Sequence, residues 1–195
     1  DVGDDETGRI LGQDVSLASR CGYSEDLSWP VNDRAVMHVD NCYFLENVRV
    51  MSHRCRTNTQ SATAFRGFGG PQGMMAGECV VDEVARHLGL DPLVVRQRNF
   101  YGPGARGKTH YGMQIEDFIA DALVARLAAD CVYAERRAKI REWNATSPVI
   151  KRGIALTPVK FGISFTATHL NQAGALVHIY TDGSNNDLVV RNKNT

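Results

Sequence analysis

Residues 63–70 read TAFRGFGG, and PQG follows at 71–73. Two phenylalanines, one arginine and three glycines fall within eight positions, a mixture that suits a ligand pocket better than a core. Glycine lets backbone approach a bulky group closely and adopts conformations that a side chain forbids. Phenylalanine offers a flat apolar face to a planar molecule. Immediately downstream, Ala76, Val80, Val84 and Leu88 recur every four residues and Gly89 stands where a helix C-cap belongs. The stretch Gly67–Gly73 therefore opens a helix, and the N–H groups of a helix N-terminus behind glycines attract anions. It lacks the GK[ST] of a phosphate-binding P-loop and the spacing of the dinucleotide GxGxxG. Two readings stay open: a turn that holds an anionic cofactor, such as a pterin phosphate or a metal oxo group, or a purely structural turn.

Outward from this segment, Gly8 to Cys21 reads as a strand with Val15, Leu17 and Cys21 on one face. Asp26 to Pro30 reads as a turn, Val36 to Tyr43 is short and mixed, and Val48 to Arg54 alternates as a second strand. Downstream, Asp91-Pro92 marks an N-cap followed by proline at the first helical position, with that helix reaching about Asn99. Residues 101–112 form a loop. A third helix carries Ile115, Phe118, Ile119, Ala122, Leu123 and Leu127 on one stripe, and a fourth runs from Val132 to Trp143. Ile154–Lys160 and Ala173–Tyr180 read as strands, with a tight turn at Thr181-Asp182-Gly183. The order is strands, four helices, strands: an α+β fold without regular βαβα alternation. Asn144 to Pro148 divides the chain into residues 1–147 and 148–195.

Composition excludes several classes. Lys plus Arg and Asp plus Glu are both 22, so the net charge is zero, which argues against non-specific binding to nucleic acid or an anionic membrane. No apolar run approaches the roughly 20 residues that span a bilayer. The N-terminal DVGDDETGRI is acidic, without the apolar segment of a secretory signal. It also lacks an initiator Met, so the chain is expected to begin inside a longer protein. The five cysteines are widely spaced with no CxxC pair, which disfavours a local zinc or iron–sulfur site. Scattered thiols suit a reducing cytoplasm, each read as a small buried hydrophobe. The six histidines show no HxH or HExxH spacing.

Arg34, in VNDRAVMHVDNCY, carries a planar fork of donors charged at any working pH. It binds a carboxylate, phosphate or ring carbonyl, or else pairs structurally with Asp33 or Asp40. In KFGISFTATHLNQAG, Phe161, Phe165 and Thr166 line a pocket or fill a strand's core.

Three stretches are similar to the molybdopterin-binding subunit of the xanthine dehydrogenase and aldehyde oxidase family: DLSWPVNDRAVMHVDNCY, CRTNTQSATAFRGFGGPQGM and KRGIALTPVKFGISFTATHLNQAGALVHIYTDGS. EVARHLGLDPLVVRQRNFYGPG also resembles the family, so the likeness runs from about Gly8 to Ser184. It implies a partial molybdenum-cofactor-binding fold. Residues 1–147 would be the C-terminal part of a first molybdopterin-binding module and 148–195 the start of a second. It also implies oxidative hydroxylation of hypoxanthine and xanthine to urate with water-derived oxygen. Electrons would pass through 2Fe–2S clusters and FAD, on other domains or subunits of an oligomeric enzyme, to NAD.

The likeness assigns roles residue by residue. Arg34 resembles the arginine that binds a purine oxygen and favours xanthine over aldehydes. Phe68 resembles the ring stacked on the substrate, Phe165 the ring meeting its edge, and Thr166 a hydrogen-bonding substrate contact. Arg66, with the backbone of Gly67, resembles the segment touching the molybdenum cofactor, so Arg66 is the residue placed beside the metal. Ala64 and Phe65 match neighbouring cofactor positions. The family's catalytic glutamate matches none of Glu46, Glu78 or Glu83, and the base is expected outside this stretch. After Ser184 the chain reads NNDLVVRNKNT, where the family continues into a glycine-rich run. The resemblance thus implies a fragment of a longer subunit. Alternatives are an aldehyde oxidase, another N-heterocycle hydroxylase, or an inert binding or assembly module.

Overall fold

The computed structural model describes residues 1–171, 173–181 and 186–194. They fall into two compact units, Asp1–Gly162 and Ile163–Thr195. In the first unit, β1 (Val2–Asp4), β2 (Ile10–Gly22) and β3 (Val48–Arg56) form a sheet in that order. β1 is antiparallel to β2 and β3 is parallel to it. The period-two reading of β2 holds, with Val15 and Cys21 buried.

Parallel neighbours need a crossover, and here it is α1 (Ser28–Val36). This helix corrects the reading of Asp26–Pro30 as a turn running into a mixed stretch, and it makes five α-helices among the described residues rather than four. The turn ends early, at Leu27, after Asp26 with φ 45°. Pro30 lies in the first helical turn, where a missing N–H costs nothing. Asn32 fastens α1 to the sheet, through Ser19 of β2 and Ser52 of β3.

α2 (Gly70–Leu88) lies directly on the backbone of α1. A Cβ built at Gly69, Gly73 or Gly77 would sit 1.9, 2.1 and 2.3 Å from the carbonyl oxygens of Val31, Ala35 and Val39. Both series step by four residues, one helical turn, so each glycine admits one carbonyl. α2 ends as expected at Gly89, with φ 66°. α3 (Pro92–Asn99) begins as expected, the Asp91 carboxylate accepting from Leu93 N at 2.9 Å. Val81, Val84, Leu93, Val95, Phe100 and Val124 centre the core.

α4 (Ala120–Asp130) starts later than the stripe from Ile115 implied. Ala120 and Val124 face the core, whereas Ile119, Leu123 and Leu127 are 68%, 58% and 50% exposed. α5 (Tyr133–Thr146) follows, and among its side chains only Tyr133 is buried. Cys55 and Cys79 are exposed, against the reading of every cysteine as a buried hydrophobe. Cys55 lies near the end of an edge strand, and Cys79 points away from the core face of α2.

The expected strand Ile154–Lys160 does not form. Its period of two is real, but side chains replace the neighbouring strand. Asn41 donates from Nδ2 to Pro158 O at 2.9 Å and accepts at Oδ1 from Lys160 N at 3.1 Å. His38 Nε2 accepts from Gly162 N at 2.9 Å. Backbone groups at 158, 160 and 162 are satisfied without a ladder.

In the second unit β4 (Ala173–Thr181) pairs antiparallel with β5 (Asn186–Asn194), so the expected strand at Ala173–Tyr180 is present. The turn expected at 181–183 lies largely outside the described residues.

Candidate functional site

Arg34 stands in the last turn of α1 and is only 4% exposed. Its guanidinium carbon lies 5.9 Å from the Phe68 ring centroid and 5.2 Å from that of Phe161, within cation–π range. Nη1 donates to the carbonyl of Gly162. Burial pulls its pKa down from the ordinary arginine value. It stays charged, and that charge is held among ring faces and backbone.

Phe68 owes its place to backbone conformation. Gly67, Phe68 and Gly69 all have positive φ, at 91°, 51° and 94°. For phenylalanine this is a strained conformation. Gly69 permits it, because any side chain there would strike Val31. The strain turns the Phe68 ring inward to Arg34, while Phe65, 85% exposed, and Arg66 lie outside. Ala64 and Gly67 are half-buried.

The chemistry of this outer face fits an anionic cofactor. An exposed guanidinium, an exposed aromatic ring and the start of a 19-residue helix converge within a few residues. The N–H groups of Arg66, Gly67 and Gly69 donate in none of the turn and loop backbone hydrogen bonds among the described residues, whereas the carbonyls of Gly67 and Gly69 accept from Gly70 and Gly73. A cavity of about 180 Å³ lies beneath, lined by Ser19, Asn32, Thr63, Gly69 and Gln72 among others. Among the described residues no group of three His, Cys, Asp or Glu side chains could hold a metal ion by itself.

Behind Arg34 lies a polar layer that the sequence reading passed over. His38 Nδ1 is 2.7 Å from the carbonyl of Arg34. Asp40, fully buried, accepts from Lys160 Nζ at 2.6 Å and from the Tyr101 hydroxyl, with His110 Nδ1 3.6 Å away. Burial pushes the Asp40 carboxyl up, but His110, Lys160 and Tyr101 outweigh it and hold it below the usual carboxylate range. Asp40 is thus engaged with Lys160 rather than simply waiting for Arg34. Burial lowers the pKa of His38. His38 lies just past the end of α1, and no local sequence pattern marks it.

The three glutamates set aside as non-catalytic are all ion-paired: Glu46 with Arg9, Glu83 with Arg86, and Glu78 with Arg96 at 2.6 Å. Phe165 and Thr166 are half-buried in the second unit, where Asn171 Nδ2 donates to Phe165 O at 3.2 Å. Of the substrate residues expected from sequence, Arg34 and Phe68 are brought together within the first unit.

Two family models, both described as molybdopterin cofactor-binding domain, match residues 1–100 and 126–189. The chain belongs to the molybdopterin cofactor-binding domain family. Curated relatives include a xanthine dehydrogenase from Emericella nidulans, 45% identical over 94% of this chain, and a xanthine dehydrogenase/oxidase from Gallus gallus, 47% identical over the same share. The chain spans 13% of the length of each. Among solved structures, the aldehyde oxidoreductase from Desulfovibrio gigas superimposes with a TM-score of 0.62 at 28% identity, covering 76% of this chain and 16% of that one. The CO dehydrogenase from Oligotropha carboxidovorans reaches a TM-score of 0.63 at 18% identity over 72% of this chain and 18% of its own, and shares the fold. The octapeptide and Arg34 both lie within the first matched segment. No helix among the described residues is long and apolar enough to cross a membrane.

Proposed function

We propose that this chain forms part of the molybdenum subunit of an enzyme that oxidatively hydroxylates hypoxanthine and xanthine to urate, with oxygen from water. The observation that carries the reading is Arg34, buried between Phe161 and Phe68, the latter within the cofactor-family octapeptide. A planar, permanently charged donor suits the exocyclic oxygen of a flat heterocycle, and it stabilises negative charge that grows on the ring as oxidation proceeds. Phe68 offers its face to the ring, Phe165 meets the ring's edge, and Thr166 donates a hydrogen bond. The identity of 44–47% to proteins named xanthine dehydrogenase supports the same reading.

When bound, the molybdenum cofactor supplies the redox and oxygen-transferring centre. Arg66 would stand beside the metal, and Ala64, Phe65 and the backbone of Gly67 would hold the rest of the cofactor. Residues 1–147 end one molybdopterin-binding module and 148–195 begin the next. The base, the 2Fe–2S clusters, FAD and the route to NAD belong to other parts of an oligomeric cytoplasmic enzyme.

The likeness to an aldehyde oxidoreductase favours a second reading, oxidation of aldehydes, in which a buried arginine facing substrate has no ring oxygen to meet. Incubating the parent enzyme with xanthine in ¹⁸O-water separates the two. One labelled oxygen per urate supports purine hydroxylation; aldehyde turnover with no urate sinks it.

A further inference from the structure

Three hydrogen bonds close a ring behind Arg34. Arg34 donates from Nη1 to the carbonyl of Gly162. The N–H of Gly162 donates to His38 Nε2 at 2.9 Å. His38 Nδ1 is 2.7 Å from the carbonyl of Arg34 itself. These partners assign the state of the imidazole. A carbonyl only accepts, so Nδ1 carries the proton; an amide N–H only donates, so Nε2 carries the lone pair. His38 is therefore neutral, in one tautomer. A second proton, on Nε2, would face the Gly162 N–H and break the ring.

The surroundings keep this arrangement in place. His38 is 4% exposed. The Phe161 ring lies against the imidazole, with centroids 5.1 Å apart. From α2 the neighbour is Gly73, which has no charge, and whose Cβ position would be 3.1 Å from the His38 carbonyl carbon. Burial opposes protonation of His38, as do the charges of Lys160 and Arg34, and together they outweigh the hydrogen bond to the Arg34 carbonyl and the charge of Asp40, which favour it.

We propose that His38 is a positioning residue for Arg34. As a neutral imidazole it holds the Gly162 peptide, whose carbonyl fixes the guanidinium, and so sets the preference for substrates bearing a ring oxygen. This rests on the reading of Arg34 as the ligand of that oxygen. His38 does not touch substrate; it acts through one backbone peptide.

The test is made in the parent enzyme, with molybdenum content measured for every variant. Glutamine places a neutral acceptor near the Nε2 position, whereas asparagine ends short of Gly162. The purine-to-aldehyde ratio of kcat/KM is expected to fall about five- to tenfold in His38→Asn, the effect of one hydrogen bond, and to recover most of that loss in His38→Gln. In wild type the ratio should also fall on the acid side as His38 takes up a proton, and His38→Gln should lack that limb. Crystal structures of wild type and His38→Asn should differ in the positions of Gly162 and the Arg34 guanidinium. Ratios equal in all three proteins, or losses that track molybdenum content equally for both substrates, would overturn the proposal. If the parent enzyme turns over no purine, the functional reading fails separately. The crystallographic comparison then decides, and an unmoved Gly162–Arg34 pair rejects the clamp.

Discussion

Among the described residues Arg34 and Arg96 are almost completely buried, and the fold treats them in opposite ways. Arg96, 2% exposed, reaches Glu78 and Asp82 at 2.6 and 2.8 Å. Burial pulls its pKa down, but Glu78, Tyr43 and Asp82 outweigh that and raise it. Arg34, 4% exposed, is held by a backbone carbonyl between two rings, and burial lowers its pKa. Arg96 locks α2 to α3, and through Glu78 to Tyr43 and Asn41. Arg34 sits at the end of a helix beside a strained turn. One charge is matched to carboxylates and holds elements together. The other lies between two aromatic rings at the residue proposed to meet a ligand.

Substitution should separate the two roles. Arg96→Met leaves Glu78 facing its network without a cation, and should destabilise the protein by about 3–5 kcal/mol, read by denaturant unfolding. Equal stability would mean that the ion pair is not structural. Gly73→Ala puts a methyl 2.1 Å from the Ala35 carbonyl. It should cost about 1–3 kcal/mol of stability through overpacking, and should disturb Arg34 one residue away, while Gly89→Ala, with open space around it, should report only the cost of positive φ. Acid sharpens the contrast further. The pKa of His38 is depressed in the fold, so the unfolded chain takes the proton first. Its contribution is full above pH 6.5 and is lost as pH falls through the folded value. Stability measured against pH should decline below 6.5, and His38→Gln should decline less. The smallest effect belongs to the surface: Glu46→Gln removes an exposed pair with Arg9 and should change stability by no more than about 0.5 kcal/mol.

Local chemistry made much of the fold legible. Asp91-Pro92 and Gly89 are start and stop signals written in single residues, and α3 and the end of α2 follow them. The alternation of β2 survives because one face of that strand packs on the core. What stayed hidden depended on partners distant in sequence. Pro30 reads equally well as a turn or as a first helical turn, and only packing beneath the glycines of α2 decides. Residues 158–162 have a strand's period, but Asn41, His38 and Arg34 supply the pairing, which no local pattern reveals. In the site, the composition of the octapeptide pointed to a pocket or a turn, and the family resemblance singled out Phe68 and Arg66. His38 carries no motif, and its role emerges only when Gly162, 124 residues away, comes into contact.

The central claim is that Arg34 serves a ligand and Arg96 serves the fold. The most direct test measures both Arg34→Met and Arg96→Met in the parent enzyme, following kcat/KM for xanthine and for an aldehyde, per molybdenum, alongside unfolding. Arg34→Met is predicted to lose about 2–4 kcal/mol of transition-state stabilisation for xanthine and far less for the aldehyde, with little loss of stability. Arg96→Met is predicted to lose stability and to lower both activities together. An Arg34→Met enzyme that slows equally on both substrates, or that unfolds as readily as Arg96→Met, would contradict the account.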